Sequence, residues 1–180
     1  MQLLPELPPR IIFLDIDGVL NSLATYVVGG DWPQELTDAD KFDQVSIGLV
    51  REACRNGGLK IVVSSTWRFI NPWDAIGKAF DLPVIGSTSL KIVHNKRGQE
   101  IQDWLNANPE VIEYAIIDDM LPSNFLPGQQ SRLIRTHDEN GFTWQSYCEL
   151  CGIFGIRRYR DEILDSPATP GSNPHDLLPS

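Results

Sequence analysis

Short apolar segments, each followed by polar residues, constrain the fold of this chain more than any other feature. The clearest segment covers 10–15, with the sequence R-I-I-F-L-D, and it has prolines before it and Gly18 after it. An uninterrupted apolar run of this length is typical of a strand that is buried on both faces of a parallel sheet. Four further segments fit the same interpretation, at 59–63, 82–85, 113–117 and 131–135.

Helical patterns separate these predicted strands. Asn56-Gly57-Gly58 ends the first pattern, and Pro72 suits the first turn of the second. Residues 21–43 lack a helical pattern and are predicted to form a loop. The predicted helices cover 45–55, 71–80, 97–106 and 142–151. Strands that alternate with helices predict an α/β fold, a three-layer, doubly wound parallel sheet with helices on both faces.

The composition is that of one folded domain. The chain has 180 residues, of which 42% are hydrophobic, so it can bury one core but is too short for two ordinary enzyme domains. We expect an N-terminal extension over 1–10, a single domain over 11–160 and a disordered tail over 161–180, where Pro, Gly, Ser and Asn are frequent.

Charge and cysteine content restrict the location and the partners of the protein. The formal net charge is −9, whereas proteins that bind nucleic acids or anionic membranes in general are usually basic. No apolar stretch reaches the roughly 18 residues that a membrane span needs, and no signal-peptide pattern begins the chain. Three cysteines cannot form a disulfide framework, and the Cys148-x-x-Cys151 pair lacks a second pair to complete a metal site. We therefore expect a cytoplasmic protein without a membrane partner.

The strand ends carry the candidate chemistry, because open α/β sheets bind ligands at the carboxyl ends of their strands. Asp15-Ile16-Asp17-Gly18 follows the first strand, Ser64-Ser65-Thr66 the second and Asp118-Asp119 the fourth. Four carboxylates at one edge repel each other unless a cation lies among them, and hard oxygen ligands suit Mg²⁺. Lys96-Arg97 begins a predicted helix and would supply positive charge for a phosphate group.

This order of motifs resembles the haloacid dehalogenase (HAD) superfamily of phosphotransferases. In that superfamily a DxDG motif follows strand one, Ser or Thr follows strand two, Lys or Arg precedes strand four, and an Asp pair follows it. The match covers residues 11–120. Each motif alone has a plain structural explanation, such as a turn or a helix cap. Together and in this order they predict a HAD-like Rossmannoid fold and a phosphatase.

The resemblance implies a role for each motif residue. Asp15 would be the nucleophile that forms an aspartyl-phosphate, and Asp17 the general acid and base. Gly18 would allow the sharp turn that exposes both carboxylates. Ser64, or Ser65 if the strand ends one residue later, would bind a phosphoryl oxygen. The implied ligands of Mg²⁺ are Asp15, the main-chain carbonyl of Asp17, Asp118 and, through water or by orienting Lys96, Asp119.

The charge of the phosphoryl group would be neutralised by Lys96 or Arg97, between which the sequence does not decide. Three further residues are candidates for contact with the substrate. Asn21 follows the first strand and would either contact the phosphate or steer the loop. Trp67-Arg68 would place a flat ring and a guanidinium at the rim of the site, unless Trp67 packs beneath the next helix.

The gaps in which HAD enzymes carry cap modules are short here, at 22–44 and 67–95, so the chain resembles the capless branch. An open site accepts a large substrate or needs a protein partner to close it. The segments D-I-D-G-V-L-N, V-V-S-S-T-W-R and I-I-D-D are most similar to phosphatase modules of nucleic-acid repair proteins. Because the chain is acidic, a nucleotide or a small phosphate ester is a rival substrate, and a non-catalytic module that docks on phosphate is a rival function.

Overall fold

Five parallel strands form the central sheet of the computed structural model, which describes residues 9–90 and 96–158. Their spatial order is β3-β2-β1-β4-β5. The strands are β1 (Arg10–Leu14), β2 (Lys60–Val63), β3 (Val84–Ser87), β4 (Glu113–Asp118) and β5 (Leu133–Arg135). All five predicted strands are therefore confirmed, although two of them begin two residues later than predicted. Before β3 lies a turn in which the Val84 amide donates to Leu82 O, and before β5 a 3₁₀ turn extends to Arg132.

Five α-helices connect or flank these strands. They are α1 (Leu23–Gly29), α2 (Gln44–Gly57), α3 (Trp73–Phe80), α4 (Arg97–Ala107) and α5 (Trp144–Phe154). Short 3₁₀ turns occupy Ala39–Lys41, Thr66–Phe69, Pro122–Asn124 and Pro127–Arg132. The four predicted helices are confirmed within a few residues.

Helix α1 corrects the prediction of a loop over 21–43. Ser22 and Thr25 form a reciprocal capping box at its start, and Gly30 closes its end in the left-handed conformation, with φ of 79°. The helix has only seven residues and buries none of its side chains, although Leu23, Tyr26 and Val27 have helical spacing. A pattern of two turns is too short to predict a helix, so the capping signals at both ends are what define it.

The side chains of β1 alternate between two hydrophobic layers. Ile12 and Leu14 pack with α2, α3 and α5, whereas Ile11 and Phe13 pack with α4 through Ile101. Helices thus cover both faces of the sheet, and the predicted three-layer α/β architecture is confirmed. No helix among the described residues has the length and apolar character needed to cross a membrane.

The predicted terminal segments fall mostly outside the described residues. Residues 1–8 of the expected extension and the whole expected tail over 161–180 belong to this undescribed part, whereas Arg10 already pairs with Glu113 in the sheet. Of the two gaps where caps occur in HAD enzymes, 22–44 holds α1 and a 3₁₀ turn. The described part of the second gap, 67–90, holds most of a 3₁₀ turn, α3 and β3.

Candidate active site

Three predicted site residues lie side by side at the carboxyl edge of the sheet. Leu14 is paired with Ile117, and the strand pairing continues one step because the Asp15 amide donates to Ile117 O and the Ser64 amide donates to Leu14 O. Asp15, Ser64 and Asp118 therefore form one row across β2, β1 and β4. A pairing register set by apolar strands thus brings together neighbouring side chains that are 49 and 103 positions apart in sequence.

This row faces helix α4. Side chains alternate along a strand, so each residue of the row lies on the same face as the residue two positions earlier. Those earlier residues belong to the layer around Ile101 of α4, and they are Phe13, Val62 and Ile116. The first turn of α4 is consequently the element placed to contact the row.

Arg97, the first residue of α4, lies between two of the carboxylates. Its Nη1 atom is 3.0 Å from Asp118 Oδ2, and its Nη2 atom is 3.5 Å from Asp15 Oδ2. Burial opposes the positive charge, yet Asp15 and Asp118 together raise the pKa of the guanidinium. Lys96 is exposed one residue earlier. The structure therefore brings Arg97, and not Lys96, into contact with the row.

Asp15, Asp118 and Asp119 form a group that fits a divalent cation. One carboxylate oxygen from each lies within 4.8 Å of the others. Burial and the charge of Asp15 raise the pKa of Asp118 to about 7, and the same two causes raise the pKa of Asp119. Asp118 Oδ2 is buried without an aligned hydrogen bond, although Arg97 is near. Three carboxylates exceed the charge of one guanidinium, and their hard oxygens suit Mg²⁺.

Asp17 is exposed, and two side chains orient its carboxylate. Trp67 Nε1 donates to Oδ2 at 3.0 Å and to Oδ1 at 3.1 Å, and Asn21 Nδ2 donates to Oδ1 at 2.9 Å. The Trp67 ring is buried and packs edge-on against Phe42, at 5.6 Å between ring centroids. Trp67 and Asn21, which the sequence predicts as substrate contacts, thus bind an acidic residue of the DxDG motif.

Gly18 allows the DxDG turn to lie against Asp119. Its φ is 69°, and a Cβ atom at this position would lie 2.5 Å from Asp119 Oδ2. Its carbonyl accepts a hydrogen bond of 2.8 Å from Thr136 Oγ1. Thr136 follows the short strand β5 and was not among the predicted site residues, because no local motif marks it.

The two serines after β2 have different hydrogen bonds. The Ser65 hydroxyl accepts from the Trp67 amide at 3.4 Å and caps a 3₁₀ turn. Ser64 Oγ is buried and has no hydrogen-bond partner among the described residues. Thr88, whose amide donates to Val63 O, extends the row on β3 and also has a buried hydroxyl without such a partner. Sequence reasoning missed Thr88 because its segment has the composition of a turn.

Arg68 is buried, and its guanidinium is bound by groups of the protein. Its guanidinium donates to Ser64 O at 2.6 Å, to Ser65 O at 2.7 Å and to Ser89 O at 3.1 Å. It also forms an ion pair of 2.7 Å with Glu100 of α4. These contacts do not favour the predicted contact with substrate. They hold the turn after β2 against the helix that carries Arg97.

The comparison with protein families agrees with this geometry. The model of a family described as "HAD domain in Swiss Army Knife RNA repair proteins" matches residues 11–147, which include every motif residue from Asp15 to Asp119. Searches of curated proteins and of solved structures give no match. Because the matched range covers more than half of the chain, the protein belongs to the family of HAD domains found in Swiss Army Knife RNA repair proteins.

Proposed function

We propose that this domain is a Mg²⁺-dependent phosphomonoesterase that works through an aspartyl-phosphate on Asp15. The observation that supports this most directly is the position of Asp15 beside both Arg97 and the Asp118-Asp119 pair. A carboxylate can attack an anionic phosphate only where positive charge compensates both anions. The HAD family to which the chain belongs supplies the reaction class.

In the first half of the proposed reaction, an Asp15 oxygen attacks phosphorus and the bond from phosphorus to the leaving oxygen breaks. Asp17 donates a proton to that oxygen, and the hydrogen bonds from Trp67 and Asn21 orient its carboxylate. In the second half, Asp17 accepts a proton from water, which attacks phosphorus. The bond to Asp15 then breaks, and inorganic phosphate leaves.

Two further side chains would bind the phosphoryl group. The buried Ser64 hydroxyl would donate to one phosphoryl oxygen, and the Arg97 guanidinium would neutralise charge shared by phosphate and Asp15. The ion would be held by Asp15, Asp118 and Asp119, with the Asp17 carbonyl as the resemblance implies. When bound, Mg²⁺ shields the nucleophile from the negative charge of the phosphate.

We propose the terminal phosphate of an RNA strand as the substrate. The family description names RNA repair proteins. The described parts of both gaps hold only short helices, turns and one strand, which supports an open site that a large substrate, or a protein partner, would close. None of the three cysteines, all of which the structure describes, forms a disulfide, which suits the reducing cytoplasm as the proposed location.

Phosphate release tests this proposal. The substrates are an RNA oligonucleotide with a 3'-phosphate, the same RNA with a 5'-phosphate, and p-nitrophenyl phosphate, each with Mg²⁺ or EDTA. We expect Mg²⁺-dependent release that Asp15→Asn abolishes. Asp43→Asn is the matched control, because Asp43 caps α2 and asparagine caps equally well. Undiminished release by Asp15→Asn would contradict the mechanism, and Mg²⁺-dependent RNA binding without release would favour a docking module.

A further inference from the structure

A cleft of about 240 Å³ opens next to Arg97, between the turn after β2 and the loop after β4. Arg97 belongs both to the wall of this cleft and to the contact with Asp15. A group bound in the cleft would therefore lie next to a phosphate at Asp15. The volume lies below the roughly 300–1,000 Å³ of a site for a drug-sized ligand, so it suits part of one nucleotide, such as its base, and not a longer segment.

The described lining of this cleft has more cationic than acidic side chains. The cations are Arg68, Lys96 and Arg97, and the one acid among these described residues is Glu100. Arg68 is paired with Glu100 at 2.7 Å, and Arg97 is paired with Asp15 and Asp118. The exposed Lys96 is therefore the lining cation placed to attract an anionic ligand such as a nucleotide.

The cleft also contains an exposed aromatic ring. Phe69 is 38% exposed, and it lines the cleft together with Met120. The Arg68 guanidinium carbon lies 4.4 Å from the centroid of the Phe69 ring and covers part of one side. A ring fixed in this way, near a polarisable thioether, is suited to stack on a nucleobase. Phe69, and not Trp67, is therefore the residue that supplies a flat ring beside the site.

We propose that the cleft binds the nucleotide that carries the scissile phosphate, with its base stacked on Phe69 and its backbone phosphate near Lys96. This inference rests on the proposed phosphatase function and adds a nucleotide subsite to it. It explains how an acidic protein selects a nucleic-acid end: the recognition is local and acts on one nucleotide. A free nucleotide and the end of a strand share this chemistry.

Steady-state kinetics of the full chain test the subsite. Base stacking typically contributes enough that Phe69→Ala should lower kcat/KM for the phosphorylated oligonucleotide about 5- to 150-fold. Glycerol 2-phosphate has no ring, so its kcat/KM should not change. Phe69→Tyr should retain activity, and Ile70→Ala is the matched control, because Ile70 is exposed next to Phe69 and is not among the lining residues.

Two further measurements separate the possible sources of the nucleotide. With an oligonucleotide whose terminal residue is abasic, the kcat/KM of the wild type should fall to that of Phe69→Ala. Lys96→Ala should reduce the salt dependence of binding by about one ion for an oligonucleotide, but not for a mononucleotide that lacks the backbone phosphate. An equal effect on both ligands would refute the backbone contact.

Equilibrium binding distinguishes failure of the subsite from failure of the proposed function. Fluorescence anisotropy of a labelled oligonucleotide without a terminal phosphate needs no turnover. Binding that Phe69→Ala weakens, in a protein without phosphatase activity, would support the subsite and refute the function. The subsite would be overturned if the wild type is an active phosphatase and Phe69→Ala loses the same share of kcat/KM on the oligonucleotide and on glycerol 2-phosphate. It would also be overturned if Phe69→Ala loses no activity on either substrate.

Discussion

Replacing Trp67 by phenylalanine tests whether the indole of this buried residue orients the proposed general acid. The change removes the N–H group that donates to both oxygens of Asp17, at 3.0 and 3.1 Å, and keeps an aromatic ring against Phe42. Asn21 still donates to the carboxylate at 2.9 Å. Asp17 therefore loses one of two side-chain donors, and water can replace part of that loss because the carboxylate is exposed.

The expected loss follows from these contacts. A hydrogen bond to a charged group is worth about 1.5–3 kcal/mol, and solvent access places this one at the lower end, which corresponds to roughly tenfold in rate. General acid catalysis contributes about 10²- to 10⁴-fold, so partial misorientation of Asp17 can produce such a loss. We expect kcat/KM for a 3'-phosphorylated RNA to fall about tenfold in Trp67→Phe.

Two leaving groups separate this role from a structural one. A ribose hydroxyl must be protonated as it leaves, whereas p-nitrophenolate leaves readily as an anion. The loss should therefore be confined largely to the RNA substrate, and kcat/KM is the correct constant because it reports transfer to Asp15. Phe42→Leu alters the packing of the Trp67 ring and keeps the N–H group, so it should affect both substrates alike. Equal losses on both substrates in Trp67→Phe would refute the reasoning.

Three further predictions concern the residues around the cation group. Gly18→Ala should destabilise the fold by at least about 1–2 kcal/mol and weaken Mg²⁺ binding, because φ is 69° and the new Cβ atom would meet Asp119. Urea unfolding with and without Mg²⁺ checks this. Gly48→Ala is the control, because a Cβ atom at position 48 meets nothing within 4 Å. Unchanged stability and affinity would contradict the clash. Ser64→Ala should lower kcat/KM about 10²-fold, whereas Ser65→Ala should mainly lower stability by about 1 kcal/mol through the lost cap; the opposite pattern in kinetics and unfolding would exchange their roles. In the folded protein the pKa of Asp118 is raised from 3.8 to about 7, so the protonated carboxyl stabilises the fold in the absence of metal. This stabilisation is fully present below pH 3.8 and is lost as the pH rises through 7. Thermal unfolding in EDTA should show this fall and Asp118→Asn should lack it, while Mg²⁺ should raise Tm more above pH 7 than below; the same pH profile in both proteins would refute the assignment.

The strands and the row of site residues could be predicted because both depend on local pattern. Apolar runs identified the five strands, and parallel strands must place Asp15, Ser64 and Asp118 at one edge. The choice between Lys96 and Arg97 could not be predicted, since it depends on where α4 begins and how it packs on the sheet.

Contacts between distant segments also could not be predicted from the sequence. The hydrogen bond from Trp67 to Asp17 joins residues 50 positions apart, and no spacing rule indicates it. An arginine at position 68, close to the motif serines, is the residue type expected for a phosphate contact. Only the folded chain shows that its guanidinium binds main-chain carbonyls and Glu100. Helix α1 was not predicted because its seven residues make only two turns, which is too short for a periodic apolar signal to be distinguished from a loop.

Trapping of the covalent intermediate tests the central claim most directly. Substrate labelled with ³²P in its terminal phosphate is mixed with protein and Mg²⁺ and quenched in acid within milliseconds. We expect label on the wild-type protein that hydroxylamine releases, and none on Asp15→Asn. With p-nitrophenyl phosphate, whose leaving group needs no proton, Asp17→Asn should carry more label than the wild type, because water is not deprotonated. Phosphate release by the wild type with no labelled protein at any time, or label that persists in Asp15→Asn, would contradict the central claim.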